Sequence, residues 1–346
     1  MKVGIIVLNW NGKSDTIACL ESLTNCEWES RCLLVVDNGS TDGSVDAILC
    51  WGTMQGWQVH VLDQTTMREG QQDEQSDVFS PKQLFILRLE ENRGYTGGNN
   101  AGISWLLQHR ADAVLILNND TSVSSDTVPI MRFTMEQRKD VGIVGCRIVS
   151  YDGEKVFYQG GNRSYWLGVH NLKALKGSPS GIVKVNFVPG CAMLVRASVL
   201  RVVGQLREDF FLYTDDTEFC HRVRLAGWTI LANLDAVVRA KVAASSGGRR
   251  SAIYYYFITR NTSIFILEEL RGLQRLVAFT TFCMARIMQI LLWVLTRRWD
   301  RIQGVIKGFV DFLSGVRGPG WAAQYLKSQE VVKASLDEKK IKGRCL

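Results

Sequence analysis

The chain of 346 residues lacks the short motifs by which several large enzyme classes are recognised. It contains no GxxxxGK[ST] phosphate loop, and no GxGxxG follows a predicted strand, which excludes P-loop ATPases and dinucleotide-dependent enzymes. The four histidines form no HExxH motif, so a zinc hydrolase is excluded as well. The nine cysteines are odd in number and never form a CxxC pair, which argues against a disulfide framework or a zinc ribbon and favours a reducing compartment.

A strong excess of charge of one sign is also missing. The 41 Lys and Arg residues exceed the 34 Asp and Glu residues by only seven, and they are spread along the chain. Nucleic-acid binding therefore has little support, whereas a negatively charged small substrate or a membrane surface remains possible. The apolar run after Lys2 is too short for a signal peptide and no small-residue cleavage site follows, so we expect a first strand there and a catalytic part on the cytosolic side.

What the sequence does contain is an alternation of short apolar runs, rich in β-branched residues, with helical patterns. Helical spacing is seen for Ile17, Leu20 and Leu23 and again over 101–108. This alternation predicts an α/β fold with a mostly parallel sheet covered by helices on both faces. The strands are predicted over 3–8, 33–37, 84–89, 114–117 and 141–145.

Later segments depart from this alternation. Residues 52–81 are polar with little periodicity beyond 57–62, which predicts a surface insertion that is partly disordered. Strands are predicted over 183–188 and 191–195, followed by a helix over 215–226 that Thr214 could cap.

After Ile253 the composition becomes aromatic and aliphatic, and residues 276–296 are apolar except for Arg286 and Gln289. A spanning helix needs ~20 apolar residues and a central Arg costs roughly 2.5–3.5 kcal/mol, so we expect residues 253–326 to lie in the membrane interface rather than to cross the membrane. The alternative is a buried helical hairpin on the catalytic part. Residues 327–346 are predicted to form a charged, solvated tail. The residues available for headgroups and anchoring are Arg271, Arg275, Arg286, Arg297, Arg298, Arg301, Trp293 and Trp299.

Polar side chains follow several of the predicted strands, at the edge where ligands bind in sheets of this kind. Asp37 could accept the imino N–H of a uracil or thymine ring, although its Gly-rich surroundings are also typical of an ordinary turn. Asp120 could be an oxygen ligand for Mg²⁺ or Mn²⁺, or else a helix N-cap before Thr121. Asp215, Asp216 and Glu218 share one helical turn, where acids stabilise a helix start or supply a general base.

Seven motifs follow one another along the chain: VLNWNG, VVDNGSTDGS, ENRGYTGGNNAGI, LILNNDT, VPGCAMLVRASVL, FFLYTDDTEFCHRVRLAGW and YYYFITRN. In this order they resemble the motifs of family 2 glycosyltransferases of the GT-A fold. Within that family the chain resembles the bacterial rhamnosyltransferases and related cell-surface polysaccharide enzymes. The resemblance runs from about Val3 to Gly318 and is weakest over 52–81. It implies a GT-A domain over 1–252, with a mixed, Rossmann-like sheet flanked by helices, and a C-terminal helical extension.

The resemblance also implies roles for individual residues. Asp216 matches the expected catalytic base, and Asp120 matches the last acid of the DxD-type motif that holds a divalent metal, Mg²⁺ or Mn²⁺. Asp37 matches the carboxylate that reads the pyrimidine base. The other residues expected to bind the nucleotide or the donor sugar are Asn9, Asn11, Asp42, Arg93, Gly94, Gly97, Asn99, Asn118 and Asn119.

One position departs from the family pattern. Relatives often carry a His, a candidate metal ligand, where this chain has Ala240. The metal would then be weakly held, or Lys241, Arg249 and Arg250 would neutralise part of the charge of the diphosphate. A catalytically impaired, sugar-nucleotide-binding homologue is the alternative that this position raises.

The implied reaction is inverting transfer of a sugar, for which rhamnose is a candidate, from a dTDP- or UDP-sugar to a saccharide or lipid-linked acceptor. The resemblance places such an enzyme in cell-surface polysaccharide synthesis. We expect it in the cytoplasm, peripheral on the inner face of the membrane, with no nucleic-acid partner.

Overall fold

The computed structural model describes residues 1–26, 31–63, 77–166, 172–175, 180–241 and 251–326. The helices within these ranges are α1 (Lys13–Thr24), α2 (Ser44–Met54), α3 (Gly94–Gln108), α4 (Thr127–Glu136), α5 (Ala197–Val202), α6 (Asp215–Leu225), α7 (Ala252–Glu269), α8 (Gly272–Leu295) and α9 (Trp299–Leu313). The strands are β1 (Val3–Asn9), β2 (Arg31–Asp37), β3 (Gln58–Asp63), β4 (Gln83–Arg88), β5 (Ala113–Asn118), β6 (Thr121–Val123), β7 (Val141–Val149), β8 (Val156–Tyr158), β9 (Gly161–Arg163), β10 (Leu172–Ala174), β11 (Ile182–Val185), β12 (Ala192–Arg196) and β13 (Thr229–Ala240). Short 3₁₀ turns cover Glu208–Phe210 and Gly320–Ala322.

A mixed sheet forms the centre of the molecule, with strand order β11-β13-β7-β12-β5-β1-β2-β4-β3. The half from β5 to β3 is parallel throughout, whereas β12 runs antiparallel to both β5 and β7. β6 pairs with β13, and β8 pairs with β7. The predicted α/β fold class is therefore confirmed, including the mixed character of the sheet.

Helices cover both faces of the parallel half. In a strand, successive side chains point to opposite faces. Leu8 of β1 lies against α3, because an added Cβ at Gly98 would come within 2.5 Å of its side chain. Asn9 points the other way and accepts a hydrogen bond from Thr16 in α1. The carboxyl ends of β1, β2 and β5 are in register, with Asn9 beside Asp37 and Leu8 beside Asn118.

The segment 52–81 is more ordered than the sequence predicts. Gly52, the first residue of this segment, lies inside α2, and β3 pairs in parallel with β4 as the edge strand of the sheet. Val78 and Phe79 are buried in the core. The prediction of a surface insertion was wrong for these residues because the pairing of β3 with β4 and the burial of Val78 and Phe79 depend on contacts with distant parts of the chain. Residues 64–76 lie outside the described ranges.

The last three helices, α7 to α9, form one layer, in which α7 and α9 pack closely on each other and much of α8 is exposed. α9 crosses α7 closely enough that an added Cβ at Gly304 would lie 2.3 Å from the Ala252 carbonyl oxygen. α8 is long and apolar enough to cross a membrane by length and composition, and 22% of its most apolar stretch is buried. Its exposed apolar side chains are Leu273, Leu276, Met284, Ile287, Met288, Leu291, Leu292, Val294 and Leu295.

Two residues expected at the membrane interface lie inside this layer instead. Arg286 is buried, its guanidinium lies 4.9 Å from the Phe282 ring, and it donates a 2.6 Å hydrogen bond to Gln289. Burial lowers the pKa of Arg286 to about 10, so it remains a cation at neutral pH. Trp293 is also buried and packs edge to face against Tyr255, with the ring centroids 4.5 Å apart. The prediction that these two residues face headgroups was therefore wrong, and the exposed face of α8 carries no charge at position 286.

Candidate active site

The first part of the site lies at the carboxyl ends of β1 and β2. Asn9 and Asp37 are both buried, and the Asn9 amide donates a 2.7 Å hydrogen bond to Asp37 Oδ1. Asp37 Oδ2 accepts a 3.1 Å bond from the Ser40 backbone N–H. Thr16 fixes the amide by donating to Asn9 Oδ1 at 2.7 Å. Each Asp37 oxygen keeps a second lone pair, so the carboxylate can still accept an N–H from a ligand.

The loops after these two strands are tied to each other. Asn11, at a positive φ of 50°, accepts a 2.8 Å hydrogen bond from the Thr41 N–H. Asp42 accepts backbone bonds from Ser44 at 3.1 Å and Lys13 at 3.4 Å, each at the start of a helix. The structure thus gathers Asn9, Asn11, Asp37 and Asp42 around one loop pair, with Asp42 bonded to protein groups at both helix starts.

The loop before α3 forms the next wall. Arg93 lies 3.3 Å from the Glu208 carboxylate and is partly exposed. Gly94 has φ of 74°, and an added Cβ would lie 2.5 Å from the Phe211 ring. Gly97 is equally crowded, because its Cβ would come within 2.8 Å of Arg93. Asn99 differs from the expectation of a ligand-facing residue: it is fully buried and its amide nitrogen donates to the Tyr95 carbonyl at 2.8 Å, which stabilises the first turns of α3.

Asn118, Asn119 and Asp120 end β5. The Asn119 amide donates to Thr16 at 3.0 Å, which joins this segment to the Asn9–Asp37 pair. Asp120 is largely buried, and burial, helped by the negative charge of Asp15, raises the pKa of its carboxyl, whereas a hydrogen bond from Asn118 acts in the opposite direction. A strand, β6, begins directly after Asp120, so the alternative of a helix N-cap was wrong.

This oxygen-rich corner fits a divalent cation of the Mg²⁺ or Mn²⁺ type. A buried carboxylate whose charge is destabilised gains from a nearby cation, and such ions usually bind through one or two carboxylates together with phosphate oxygens and water. Within the described ranges no three His, Cys, Asp or Glu side chains are grouped as a metal cage. Asp120 would therefore hold the ion together with ligands that arrive with the substrate.

Position 240 lies beside this corner. Ala240 pairs with Thr121 across the β13–β6 ladder, and the Lys241 N–H donates to the Asp120 carbonyl at 3.1 Å. The Lys241 ammonium forms an ion pair with Asp15. A cavity of about 400 Å³ opens at Ala240 and is bounded by Tyr151 and Lys155, among others. Arg249 and Arg250 lie outside the described residues.

The acids of α6 have three different environments. Asp216 is half-buried; its Oδ1 accepts a 2.7 Å bond from the Thr217 N–H, and its Oδ2 accepts a 3.3 Å bond from the Gly190 N–H. Asp215 is fully enclosed, and burial together with the charge of Asp216 raises its pKa well above the usual range. Glu218 is buried in an ion pair with Arg222, which places it in a structural role. Asp216 is therefore the acid with an oxygen available to a substrate.

The helix over 215–226 is confirmed, ending at Leu225, but its cap differs from the prediction. Thr214 occupies the N-cap position with φ of 70°, and its side chain makes no capping hydrogen bond. Its hydroxyl lies 3.4 Å from that of Thr262 in α7 instead. A residue in the left-handed region cannot orient its side chain back over the first turn as an extended N-cap does.

One turn connects the two acidic corners, and the sequence did not single it out as part of the site. The Gly190 N–H bonds to Asp216, and the carbonyl of the next residue, Cys191, accepts a 3.0 Å bond from the Asn118 N–H. Tyr95 donates its hydroxyl to the Gly190 carbonyl at 2.7 Å. Burial raises the pKa of Tyr95 well above its usual range, so its phenol remains a donor. Two features of the sequence could have indicated this turn: the Pro189-Gly190 pair, and the aromatic residue Tyr95 inside a Gly-rich loop.

Comparison with solved structures supports the assignment of the fold. A mannosyltransferase from Pyrobaculum calidifontis, solved with GDP-Man and Mn²⁺, superposes with a TM-score of 0.56 at 15% identity, covering 90% of this chain and 87% of that one. Residues 1–349 of TarS from S. aureus, solved with UDP-GlcNAc, give a TM-score of 0.56 at 15% identity, covering 91% and 82% of the two chains. These similarities show the GT-A fold.

Two sequence comparisons bear on the family as well as on the fold. A low-salt glycan biosynthesis hexosyltransferase of Haloferax volcanii is 31% identical over 140 residues, which cover 38% of this chain and 44% of that protein. The matched part thus spans less than half the length of that relative. Residues 113–313, from the start of β5 to the end of α9, match the profile of glycosyl transferase family group 2. That match extends over more than half of the chain, which therefore belongs to the family 2 glycosyltransferases.

Proposed function

We propose that the protein is an inverting glycosyltransferase in which Asp216 is the general base. The acceptor oxygen forms a bond to the anomeric carbon of a nucleoside-diphosphate sugar, the bond from that carbon to the diphosphate breaks with its electron pair, and Asp216 takes the proton. The observation that carries this proposal is the hydrogen-bonded Gly190 turn, because it joins Asp216 to the end of β5, next to Asp120.

The surroundings of Asp216 suit the role of a base. Thr217 occupies Oδ1 with two bonds, at 2.7 and 3.2 Å, which fixes the carboxylate plane. Among the residues that the structure describes, Oδ2 accepts only a long 3.3 Å bond from Gly190, and it can accept a hydroxyl proton. Burial and the charge of Asp216 raise the pKa of Asp215 well above its usual range, which favours the protonated form of Asp215.

The nucleotide is proposed to lie against Asp37. Its carboxylate can accept the imino N–H of uracil or thymine, which favours a UDP- or dTDP-sugar. Guanine also carries a ring N–H donor, and one structural neighbour was solved with GDP-Man, so a GDP-sugar belongs in the same test. The resemblance to rhamnosyltransferases makes a dTDP-linked deoxyhexose the first sugar to assay, with a saccharide or lipid-linked acceptor from cell-surface polysaccharide synthesis.

A divalent ion, Mg²⁺ or Mn²⁺, is proposed at Asp120, where it would neutralise charge that develops on the leaving diphosphate. Asn118 and Asn119 orient the chain around that carboxylate. Lys241 is paired with Asp15 and is close enough to Asp120 to lower the pKa of its carboxyl, so it supplies a second positive charge at this corner.

We further propose that the exposed face of α8 rests on the cytoplasmic leaflet of a membrane. That face is apolar except for Thr280, and Trp299 is exposed just beyond its carboxyl end. The exposed cations Arg271, Arg275, Arg297 and Arg298 lie near its two ends. A helix that crossed the membrane would have to expose Arg286, which is buried against Phe282, to lipid. An apolar face with cationic ends is typical of interfacial helices.

The proposed chemistry is tested with a panel of UDP-, dTDP- and GDP-sugars in Mn²⁺, in which slow hydrolysis to free nucleoside diphosphate identifies the donor. On that donor, Asp216→Asn should abolish transfer while calorimetry shows nucleoside-diphosphate affinity within about twofold of the original protein. Transfer within tenfold of the original would remove Asp216 from the role of base. Nucleotide binding without turnover on any donor would favour the catalytically impaired homologue that Ala240 raises.

A further inference from the structure

The turn that leads into α6 has an unusual backbone. Phe211, Tyr213 and Thr214 have φ angles of 63°, 66° and 70°, in the left-handed region that favours glycine, and none of them is glycine. Non-glycine residues persist in that region only where their surroundings impose it. The 211–214 turn is followed immediately by Asp215 and Asp216, so whatever imposes its conformation also sets the start of the helix that carries the proposed base.

Asn261 of α7 contacts this turn with a single side-chain amide. Its nitrogen lies 2.9 Å from the Phe210 carbonyl oxygen, 2.8 Å from that of Leu212 and 2.9 Å from that of Tyr213. The carbonyls on either side of Phe211, together with that of Tyr213, thus converge on one side-chain nitrogen. Asn261 is fully buried, so no solvent competes for the three oxygens.

Arg260 completes the arrangement. Its Nε donates to Asn261 Oδ1 at 2.9 Å, which orients the amide so that its nitrogen faces the turn. One terminal nitrogen donates to the Phe210 carbonyl at 3.1 Å, and the other donates to the Tyr256 hydroxyl at 3.0 Å. Tyr256 in turn donates to Asp311 of α9 at 2.5 Å. The clamp, meaning Arg260 and Asn261, is thereby fixed to the packed side of the C-terminal layer.

The turn also meets the loop that starts α3. The Phe211 carbonyl accepts a 3.3 Å bond from the Thr96 N–H, and the Phe211 ring fills the space that a side chain at position 94 would need. The Thr214 carbonyl accepts the first helical bond of α6, from Glu218 at 2.9 Å. A shift of the turn would therefore move Asp216 relative to the proposed donor loop.

We propose that Asn261 and Arg260 are positioning residues for transfer: they hold the 211–214 turn so that the Asp216 carboxylate points at the acceptor hydroxyl. The inference rests on the proposed role of Asp216. Neither residue touches substrate. Catalytic groups need placement within about 0.5 Å, so loss of the clamp lowers the turnover number. The Asn9–Asp37 pair keeps its geometry, because its bonds go to Thr16 and Ser40 and not to the turn.

Two variants test the clamp. Asn261→Asp keeps the shape of the side chain but replaces the donor nitrogen with an oxygen that repels the three carbonyls, and Asn261→Ala removes the group. The matched control is Ser263→Ala on the same helix: Ser263 is fully buried and its hydroxyl bonds within α7, to the Thr259 carbonyl, and not to the turn. Each protein is assayed at least 15 °C below its own unfolding midpoint, so that the folded fraction is equal.

We expect kcat to fall at least 30-fold in both Asn261 variants, with donor KM and nucleoside-diphosphate affinity within threefold of the original, and kcat within twofold in Ser263→Ala. A kcat loss no larger than that of Ser263→Ala, or a parallel loss of nucleotide affinity, overturns the proposal. If neither Asn261 variant folds, Arg260→Lys decides, because it keeps the charge but loses the bond that orients Asn261. A kcat reduction of fivefold or more supports the clamp, and unchanged kcat overturns it.

The same set of proteins separates this inference from the function beneath it. Asp216→Asn with transfer within tenfold of the original removes the base and with it the reason for the clamp. Inactive Asp216→Asn together with fully active Asn261 variants overturns the clamp alone.

Discussion

Replacing Ile287 and Leu291 with serine should release the protein from anionic membranes without unfolding it. Both side chains lie on the exposed face of α8, with 57% and 55% of their surface accessible. Exposed positions away from caps and strained backbone usually change the free energy of unfolding by no more than about 0.5 kcal/mol. Any loss of membrane binding would then report on the face itself.

The size of the effect follows from the exposed fractions. Full burial of an aliphatic side chain is worth about 1.5–3 kcal/mol, and a little more than half of that remains to be gained by each of these two residues. Together they should contribute about 2 kcal/mol to partition into the interface. That energy corresponds to roughly a 30-fold decrease in the partition coefficient.

Co-sedimentation with liposomes of anionic and neutral lipids measures the partition. The control exchanges Phe133 and Val202 for serine, since these side chains, on α4 and α5, are more exposed than Ile287 and Leu291, at 61% and 75%. Binding should prefer anionic lipid and be reversed by high salt or alkaline carbonate, because each Arg near the surface adds about 1 kcal/mol. Equal binding by the Ile287 and Leu291 variant and the control refutes the proposed membrane face, and resistance to carbonate refutes interfacial binding in favour of a span.

Three further predictions concern the catalytic part. Asp120→Ala should weaken nucleoside-diphosphate binding in Mn²⁺, so that calorimetry gives the same affinity in Mn²⁺ and in EDTA. If EDTA does not change the affinity of the original protein, the site works without metal and Ala240 is the reason. Gly190→Ala should lower kcat about tenfold with nucleotide affinity retained, because the added Cβ would lie 2.6 Å from the Tyr95 hydroxyl, and Tyr95→Phe in the same chain should restore activity by making room. Burial, aided by the charge of Arg224, lowers the pKa of His221 from 6.5 to about 4. Between these two pH values the unfolded chain therefore binds more protons than the folded protein. The free energy of unfolding should decrease as the pH falls from 6.5 towards 4. His221→Phe should flatten that part of the stability curve in urea titrations, and an unchanged slope would exclude His221 as its source.

The strands of the sheet were predictable because their period is local. The runs at 3–8, 33–37, 84–89 and 114–117 each lie within or next to an observed strand, and the polar residues that follow them do meet at one edge of the sheet. Parallel strands buried on both faces are continuous apolar runs, which few other structures share. The family motifs added the order of these elements and drew attention to Asp37, Asp120 and Asp216.

What the sequence concealed was set by contacts between distant parts of the chain. β3 is an edge strand with no fully buried residue, so its pairing with β4 decides its conformation more than its composition does. Arg286 looked like an interruption of an apolar helix. In the structure it does not interrupt the apolar outer face, because its side chain points inward and packs on Phe282. Composition gives the number of charges in a helix, whereas packing decides which side of the helix presents them.

The 211–214 turn was hidden for a further reason. Sequence rules find left-handed backbone through glycine and asparagine, and the residues in that conformation here are Phe, Tyr and Thr. Their conformation is stabilised by Asn261, whose partners are backbone carbonyl oxygens between 48 and 51 positions earlier in the chain. A carbonyl oxygen is the same in every residue, so no side-chain pattern in the turn records that a partner is needed. The information lies in α7, where the local bonds of Arg260 to Asn261 and Tyr256 leave further donors on both Arg260 and Asn261. Burying such donors is favourable only where more distant acceptors satisfy them.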